Sequence, residues 1–254
     1  MLSERACSAG RPRVAAVTIL VAGLSTAIPA AALEPDDPLE PVNRAVFGLN
    51  ELVDVMLLGP VSEAYGELPS PVRTGVRNVL DNLRAPVTFV NDLLQGERDR
   101  AGTTFARFFI NSTLGVFGLF DIASELGHPQ HKEDFGQTLA VWGVGDGPFL
   151  MLPLLGPSTL RDLGGLAVDQ LALDPWNTVA GGELRAARVG SEAIDTRHRL
   201  DPVIRDVRRN SLDPYATVRS AYAQRRAAEI RNGRPPVGQT DYQSIFEENG
   251  DDAR

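Results

Sequence analysis

The chain has 254 residues, 43% hydrophobic and 23% charged, which suits one large domain and excludes bulk disorder or a collagen-like fibre. Its 25 basic residues face 33 acidic ones, for a net charge of −8, so it lacks the dense basic face that neutralises nucleic-acid phosphates. Cys7 is the single cysteine, so a chain without its N-terminus has no disulfide, zinc ribbon, thiolate nucleophile or iron–sulfur ligation.

The first element is a targeting segment. Arg5, Arg11 and Arg13 stand against one acid, Glu4, residues 14–28 carry no charge, and Pro29 precedes Ala30-Ala31-Ala32. A positive start, an apolar run and a small-residue exit make a secretory signal peptide over residues 1–32, with cleavage expected after Ala32. The alternative is an uncleaved anchor, since residues 14–33 approach the ~20 needed to span a bilayer; the alanine-rich exit and Pro29 argue against it. Cleavage removes three Arg and one Glu, taking the net charge from −8 to about −10. No later stretch of about 18 uncharged apolar residues exists, so the mature chain is not expected to cross a membrane as an ordinary helix. An exported, acidic, cysteine-free protein of this size fits a bacterial envelope better than an animal secretion, where disulfides are usual.

Residues 33–232 read as helical. Val46, Phe47, Val53, Met56 and Leu57 recur near helical spacing over 43–58, and 60–68 is a short helix or loop. Ser70-Pro71 is a cap followed by proline at the first helical position, opening a helix with Val72, Val76, Val79, Leu80 and Leu83 on one face that is expected to end before Pro86. A short helix runs to Gly96, and a longer one spans 98–116 with Phe105, Phe108 and Phe109 at i, i+3, i+4. Thr159 to Asp162 resembles a capping box opening a helix over 160–171. Asp174-Pro175 and Asp213-Pro214 repeat the cap-plus-proline signature, and long Ala- and Arg-rich helices are expected over 183–199 and 215–232, with Gly233 as a stop. Residues 233–254 hold few apolar side chains and many acids, and read as a disordered tail.

The exceptional segment is WGVGDGPFLMLPLLGPSTLR, residues 142–161. Gly143, Gly145 and Gly147 alternate, then Phe149, Leu150, Met151, Leu152, Leu154 and Leu155 surround Pro153, and Gly156-Pro157 closes the run. A dinucleotide loop should feed a helix free of proline, which Pro148 and Pro153 forbid, and no Gly-Lys-Ser/Thr follows for a phosphate loop. Two readings stay open: a buried core hairpin, or an apolar hairpin facing lipid or a lipid cavity, with the glycines as hinges.

Catalytic constellations are thin. His128-Pro-Gln-His131 with Glu133 and Asp134 matches no standard metal spacing, and no Gly-x-Ser-x-Gly elbow is present. A secreted lipid hydrolase would need such a cluster. Arg107 lies among Phe residues, four before Asn111, so the two share a helix face; it is either a structural ion-pair partner or a contact for lipid phosphate.

The stretches DPLEPVNRAVFGLN (37–50), TFARFFINSTLGVFGLFDIA (104–123), DFGQTLAVWGVGDGPFLMLPLLGPSTLRD (134–162) and SLDPYATVRSAYAQRR (211–226) strongly resemble the MlaA (VacJ) family, over roughly residues 36–232. The resemblance implies an all-α fold: a single ring-shaped helical domain with a central amphipathic channel and a short apolar Gly/Pro hairpin, lying in the inner leaflet of the Gram-negative outer membrane. It implies no enzymatic reaction, no cofactor and no metal. The implied partners are phospholipids, an outer-membrane trimeric porin and a soluble periplasmic lipid carrier. The implied task is to remove mislocalised phospholipid from the outer leaflet and so maintain lipid asymmetry. Burying acyl chains releases roughly 0.8 kcal/mol per CH₂, so a closed apolar site would trap its cargo, whereas an open amphipathic channel would not. Candidate channel residues are Asn43, Phe47, Asn50, Phe105, Arg107, Phe108, Asn111, Phe149, Leu150, Leu152, Leu154 and Leu155, with Gly143, Gly145, Gly147 and Gly156 as hairpin hinges.

Well-known members of that family carry an acylated Cys at the end of the signal peptide. Here the signal ends in Ala-Ala-Ala-Leu and Cys7 lies before the apolar run, so lipidation is not expected. The runner-up function is a porin-associated structural adaptor that conducts no lipid.

Overall fold

Two prolines shape the first helical rod. In the computed structural model, which describes residues 37–234, α1 (Glu40–Val53) continues through a π-helical turn (Asp54–Leu58) into α2 (Gly59–Gly66). Pro60 has no N–H to return to the carbonyl four residues back. The chain widens by one residue instead, and the Gly59 N–H bonds to the Asp54 carbonyl. The same solution recurs where α7 (Leu160–Val168) passes into a π turn (Asp169–Leu173) just before Asp174-Pro175. The sequence suggested a helix over 43–58 and a separate piece after it. The structure fuses them into a rod, Glu40–Gly66, of 27 residues, long and apolar enough by length and composition to cross a membrane. Of the charges in this run Asp54 is buried and pairs with Arg197 and Arg208, Glu51 pairs with Arg208, and Glu40, Arg44 and Glu63 remain exposed.

Prolines elsewhere stop less than expected. The helix α3 (Ser70–Leu94) runs straight through Pro86, against the expectation of an end before it. Its packing along α4 (Arg98–Thr113), the most extensive helix–helix contact in the fold, outweighs the roughly 3 kcal/mol cost of an internal proline. Ser70 is the first helical residue rather than the cap, which is Pro69, and no side chain caps this helix. The α4 helix ends at Thr113, three residues short of the expected end. After α5 (Ile122–Glu125), α6 (Phe135–Val141) and α8 (Trp176–Val179), α9 (Gly182–Asn210) carries on past Pro202. Asp201 takes ion pairs from Arg197 and Arg205, one turn away on either side, and so clamps the helix across the proline. The expected caps at Thr159 and Asp213 are present, each side chain accepting from a backbone N–H three residues on, and Asp213 opens α10 (Pro214–Ile230).

The one sheet among the described residues is a hairpin of β1 (Phe149–Leu152) and β2 (Gly156–Thr159), in the register Phe149↔Thr159 to Leu152↔Gly156. Phe149 and Met151 face inward and join Tyr215 and Tyr222 in the apolar core, with Val46, Phe47 and Val218 packed around them. The helices α6 and α7 cross so closely that a Cβ on Gly165 would lie 2.2 Å from the Gly136 backbone nitrogen; only glycine permits that approach. The expected signal peptide (1–32) and tail (233–254) lie outside the described residues, apart from the start of the latter, where Gly233 takes the left-handed backbone of a helix stop.

Candidate functional site

Burial in this fold is inverted. The apolar core is small, and the buried set is dominated by polar and charged side chains such as Asn91, Asp92, Glu133, Thr138, Asp162, Asp195 and Arg226. Large apolar side chains face outward along several elements: Leu49, Leu52, Val55 and Met56 on the first rod, Phe105 and Phe109 on α4, Leu154 and Leu155 at the hairpin tip, and Leu184 and Val189 on α9. Scattered exposed leucines are ordinary, but an exterior this apolar around a polar interior matches an apolar surrounding rather than water.

The predicted site residues fall into two groups. The first holds the hairpin. Asn43 donates to the Phe149 carbonyl (3.0 Å) and accepts from the Met151 N–H (2.9 Å). Asn50 donates to the Leu152 carbonyl (3.0 Å) and accepts from the Leu154 N–H (2.8 Å). Seven helical residues rise about 10.5 Å, so two asparagines two turns apart reach the open edge of the strand at Phe149 and Met151 and the turn at Leu152 and Leu154, and act as a splint. Because Met151 turns its N–H toward Asn43, its partner across the ladder needs no donor, and proline is tolerated at 157. Asn43 is buried with its polar atoms bonded, and Phe149 is 0% exposed; both serve the fold. Phe47 stacks edge-on against Tyr215. Leu150 and Leu152 are half-buried, while Leu154 and Leu155 are each 66% exposed. The hairpin therefore has a core-forming base, as the first reading expects, and an apolar tip that is exposed. Gly143, Gly147 and Gly156 have left-handed backbones and Gly145 does not. Asp146, between the glycines, ion-pairs with Arg161.

The second group lines a polar cleft between α3, α4 and the segment after α5. Arg107, Phe108 and Asn111 contribute to it with Asn78, Asp81, Asn82, Arg84, Thr88, Thr104, Asp121, Gln130, His131 and Lys132. Arg107, 11% exposed, grips both Asp121 oxygens at 3.0 Å and also donates to Ser124 Oγ (2.8 Å) and the His128 carbonyl (2.5 Å). Asn111 adds a bond to Asp121 and accepts from the Ala123 N–H. The ion-pair reading of Arg107 is the one its geometry fits. Phe105, by contrast, points outward, 58% exposed and against Phe89.

Sequence reasoning missed the polar interior itself. Arg226 holds Asp134 and Asp162 with paired bonds of 2.6–2.9 Å, and Tyr222 donates to Asp162. Burial alone would raise the Asp134 carboxyl, but Arg226 and the Gln137 amides draw it down to about 2. Under the cleft, Asp92 accepts from Thr104 (2.7 Å) and lies 3.0 Å from His131 Nε2. Arg100 pairs with Glu133, whose carboxyl burial pushes up. No spacing in the sequence signals these pairings, since their partners are 64 to 92 residues apart around Arg226.

The described residues thus form a helical domain with large apolar side chains exposed, polar side chains buried, and an apolar hairpin splinted to it. Residues 35–229 match the family described as MlaA lipoprotein, and the chain belongs to that family. It is 35% identical over 205 residues to the intermembrane phospholipid transport system lipoprotein MlaA of Escherichia coli K12, covering 74% of this chain and 76% of that protein. It is 33% identical to the protein of the same name from Haemophilus influenzae, covering 79% and 82%, and 35% identical to an uncharacterised protein of Rickettsia felis, covering 78% and 80%. A solved structure described as the structural basis for maintenance of bacterial outer membrane lipid asymmetry superposes with a TM-score of 0.70 at 38% identity, over 77% of this chain and 99% of that one.

Proposed function

We propose that this protein is the outer-membrane component of an intermembrane phospholipid transport system. On this reading it takes mislocalised phospholipid from the outer leaflet and passes it to a soluble periplasmic carrier, so preserving lipid asymmetry. The single observation that carries the reading is the inverted burial: large apolar side chains exposed where they can sit among acyl chains, over an interior dominated by polar side chains. The named relatives support it. The protein then moves lipid without altering it and takes its position from a trimeric porin and from its own apolar faces. Its helices enclose an amphipathic channel. It is made with a signal peptide cleaved after Ala32 and carries no acyl chain. Deleting the gene should increase the phospholipid that an added phospholipase reaches on intact cells, and the full-length gene should reverse this. An unchanged outer leaflet in the deletion strain refutes the reading. The intact mass of the purified protein tests the processing: a start at Leu33 is expected, and a diacylglyceryl adduct or retained residues 1–32 contradicts it.

A further inference from the structure

The cleft contains three cations, and they differ in how fully they are used. Arg107 is saturated by Asp121, Ser124 and the His128 carbonyl. Among the described residues Arg84 makes one ion pair, with Glu192 of α9 at 3.2 Å, also favours the charged form of the buried Asp169, and its side chain is 36% exposed. Among the described residues Lys132 makes one ion pair, with Asp81 at 2.6 Å, and is 48% exposed. Asp81 and Arg84 are three residues apart on α3 and so share a face, while Lys132 reaches Asp81 from the opposite wall. A guanidinium offers five donors and an ammonium three, so both groups keep donors unused among the described residues. Solvent-exposed ion pairs of this kind are weak and exchange readily.

We infer that Arg84, Lys132 and Asp81 form a headgroup subsite for a zwitterionic phosphoethanolamine, with the phosphate on the two cations and the ammonium on Asp81. The inference rests on the phospholipid-transport reading and deepens it. When a phosphate takes Lys132, Asp81 loses its cation, and the ammonium of the same headgroup replaces it. An anionic glycerol headgroup, or a free phosphate, binds the same cations but leaves Asp81 uncompensated. The cleft therefore selects against them by about the worth of one exposed ion pair, roughly fivefold.

The test uses the mature full-length protein and two readouts. The first is the lipid it acquires from vesicles of mixed phosphatidylethanolamine and phosphatidylglycerol, extracted and weighed by mass spectrometry. The second is calorimetric titration with glycerophosphoethanolamine and, separately, inorganic phosphate. Lys132→Gln and Arg84→Gln should each weaken glycerophosphoethanolamine binding about tenfold, with unchanged thermal unfolding. Asp81→Asn should abolish the ethanolamine preference and shift the loaded lipid toward phosphatidylglycerol. If all three variants load lipid in the wild-type amount and ratio, the subsite is wrong while transport stands. If the wild type loads no lipid yet binds glycerophosphoethanolamine in a Lys132-dependent way, the subsite stands and transport falls. Equal affinity for inorganic phosphate makes this a plain anion site and overturns the zwitterionic assignment.

Discussion

The Arg226 network and the α3–α4 cleft are both polar interiors built around arginine, and they differ in saturation. Arg226 has Asp134, Asp162 and Glu229 within reach, in a pocket where Tyr222 adds a bond to Asp162 Oδ2. In the cleft, Arg107 is equally occupied, yet Arg84 and Lys132 have one ion pair each among the described residues. A buried charge must be neutralised and hydrogen-bonded or the fold loses several kcal/mol, so saturation marks a structural role. Unused donors persist only where water or a ligand meets them. The polar groups that hold this protein together can thus be told from those left available to bind.

Arg226→Met attacks the saturated side of the comparison and should have the largest effect. It strands Asp134 and Asp162, and chemical unfolding should show a loss of about 3–5 kcal/mol; a loss under about 1 kcal/mol would place the network at the level of a surface pair and break the contrast. Arg107→Ala should cost nearly as much, because Asp121 loses its bidentate partner, whereas a stable but transport-dead variant would move Arg107 to the binding side. Asn43→Ala comes next: it leaves the Phe149 carbonyl and the Met151 N–H without partners in a buried site, for roughly 2–4 kcal/mol. Asn50→Ala removes the same two bonds at the exposed tip and should cost about 1 kcal/mol or less. Equal costs would mean the splint is not graded by burial.

Acid sharpens the comparison further. The Asp134 carboxyl lies at about 2 in the fold against 3.8 in an unstructured chain. A depressed carboxylate contributes stability that is complete above about pH 4 and is lost as the pH falls through about 2. Unfolding measured across that window should show a slope that Asp134→Asn reduces, the remainder coming from Asp54, Asp121, Asp162, Asp201 and Asp213, whose carboxyls are also held down by arginine or hydrogen-bond partners. Lys132→Gln, on the unsaturated side, should leave the slope in place. The smallest stability effect belongs to the hairpin tip. Leu154→Ser with Leu155→Ser should change stability by under about 0.5 kcal/mol per site, because both side chains already face outward. Lipid transfer should nevertheless fall if the tip meets acyl chains, and unimpaired transfer would leave the hairpin as packing alone.

Local signals were legible in residues that act on their neighbours. Thr159 and Asp213 announce their helices because a cap bonds only three residues ahead, and 149–157 stood out as a hairpin candidate through glycine and proline placed among large apolar residues. The family could be named from the order of four motifs. Proline was misleading at 86, where the helix continues, because packing along α4 decides whether a missing N–H ends the helix. At Pro60 and Pro175 the chain answered with π turns, which no periodicity shows.

The sequence by itself determined the helical character, the caps at Thr159 and Asp213 and the presence of an unusual apolar hairpin, since each depends on residues within a turn or two of one another. Only the tertiary structure decided which side of each helix is inside. An amphipathic helix has the same period whether its apolar stripe faces a core or a bilayer, so the exposure of Phe105 and Leu154 and the burial of Asn43, Asp92 and Arg226 could not be read from spacing. Nor could the division of Arg107 from Arg84 and Lys132, because a charge is structural or available according to how many partners reach it, and those partners are brought together by the fold.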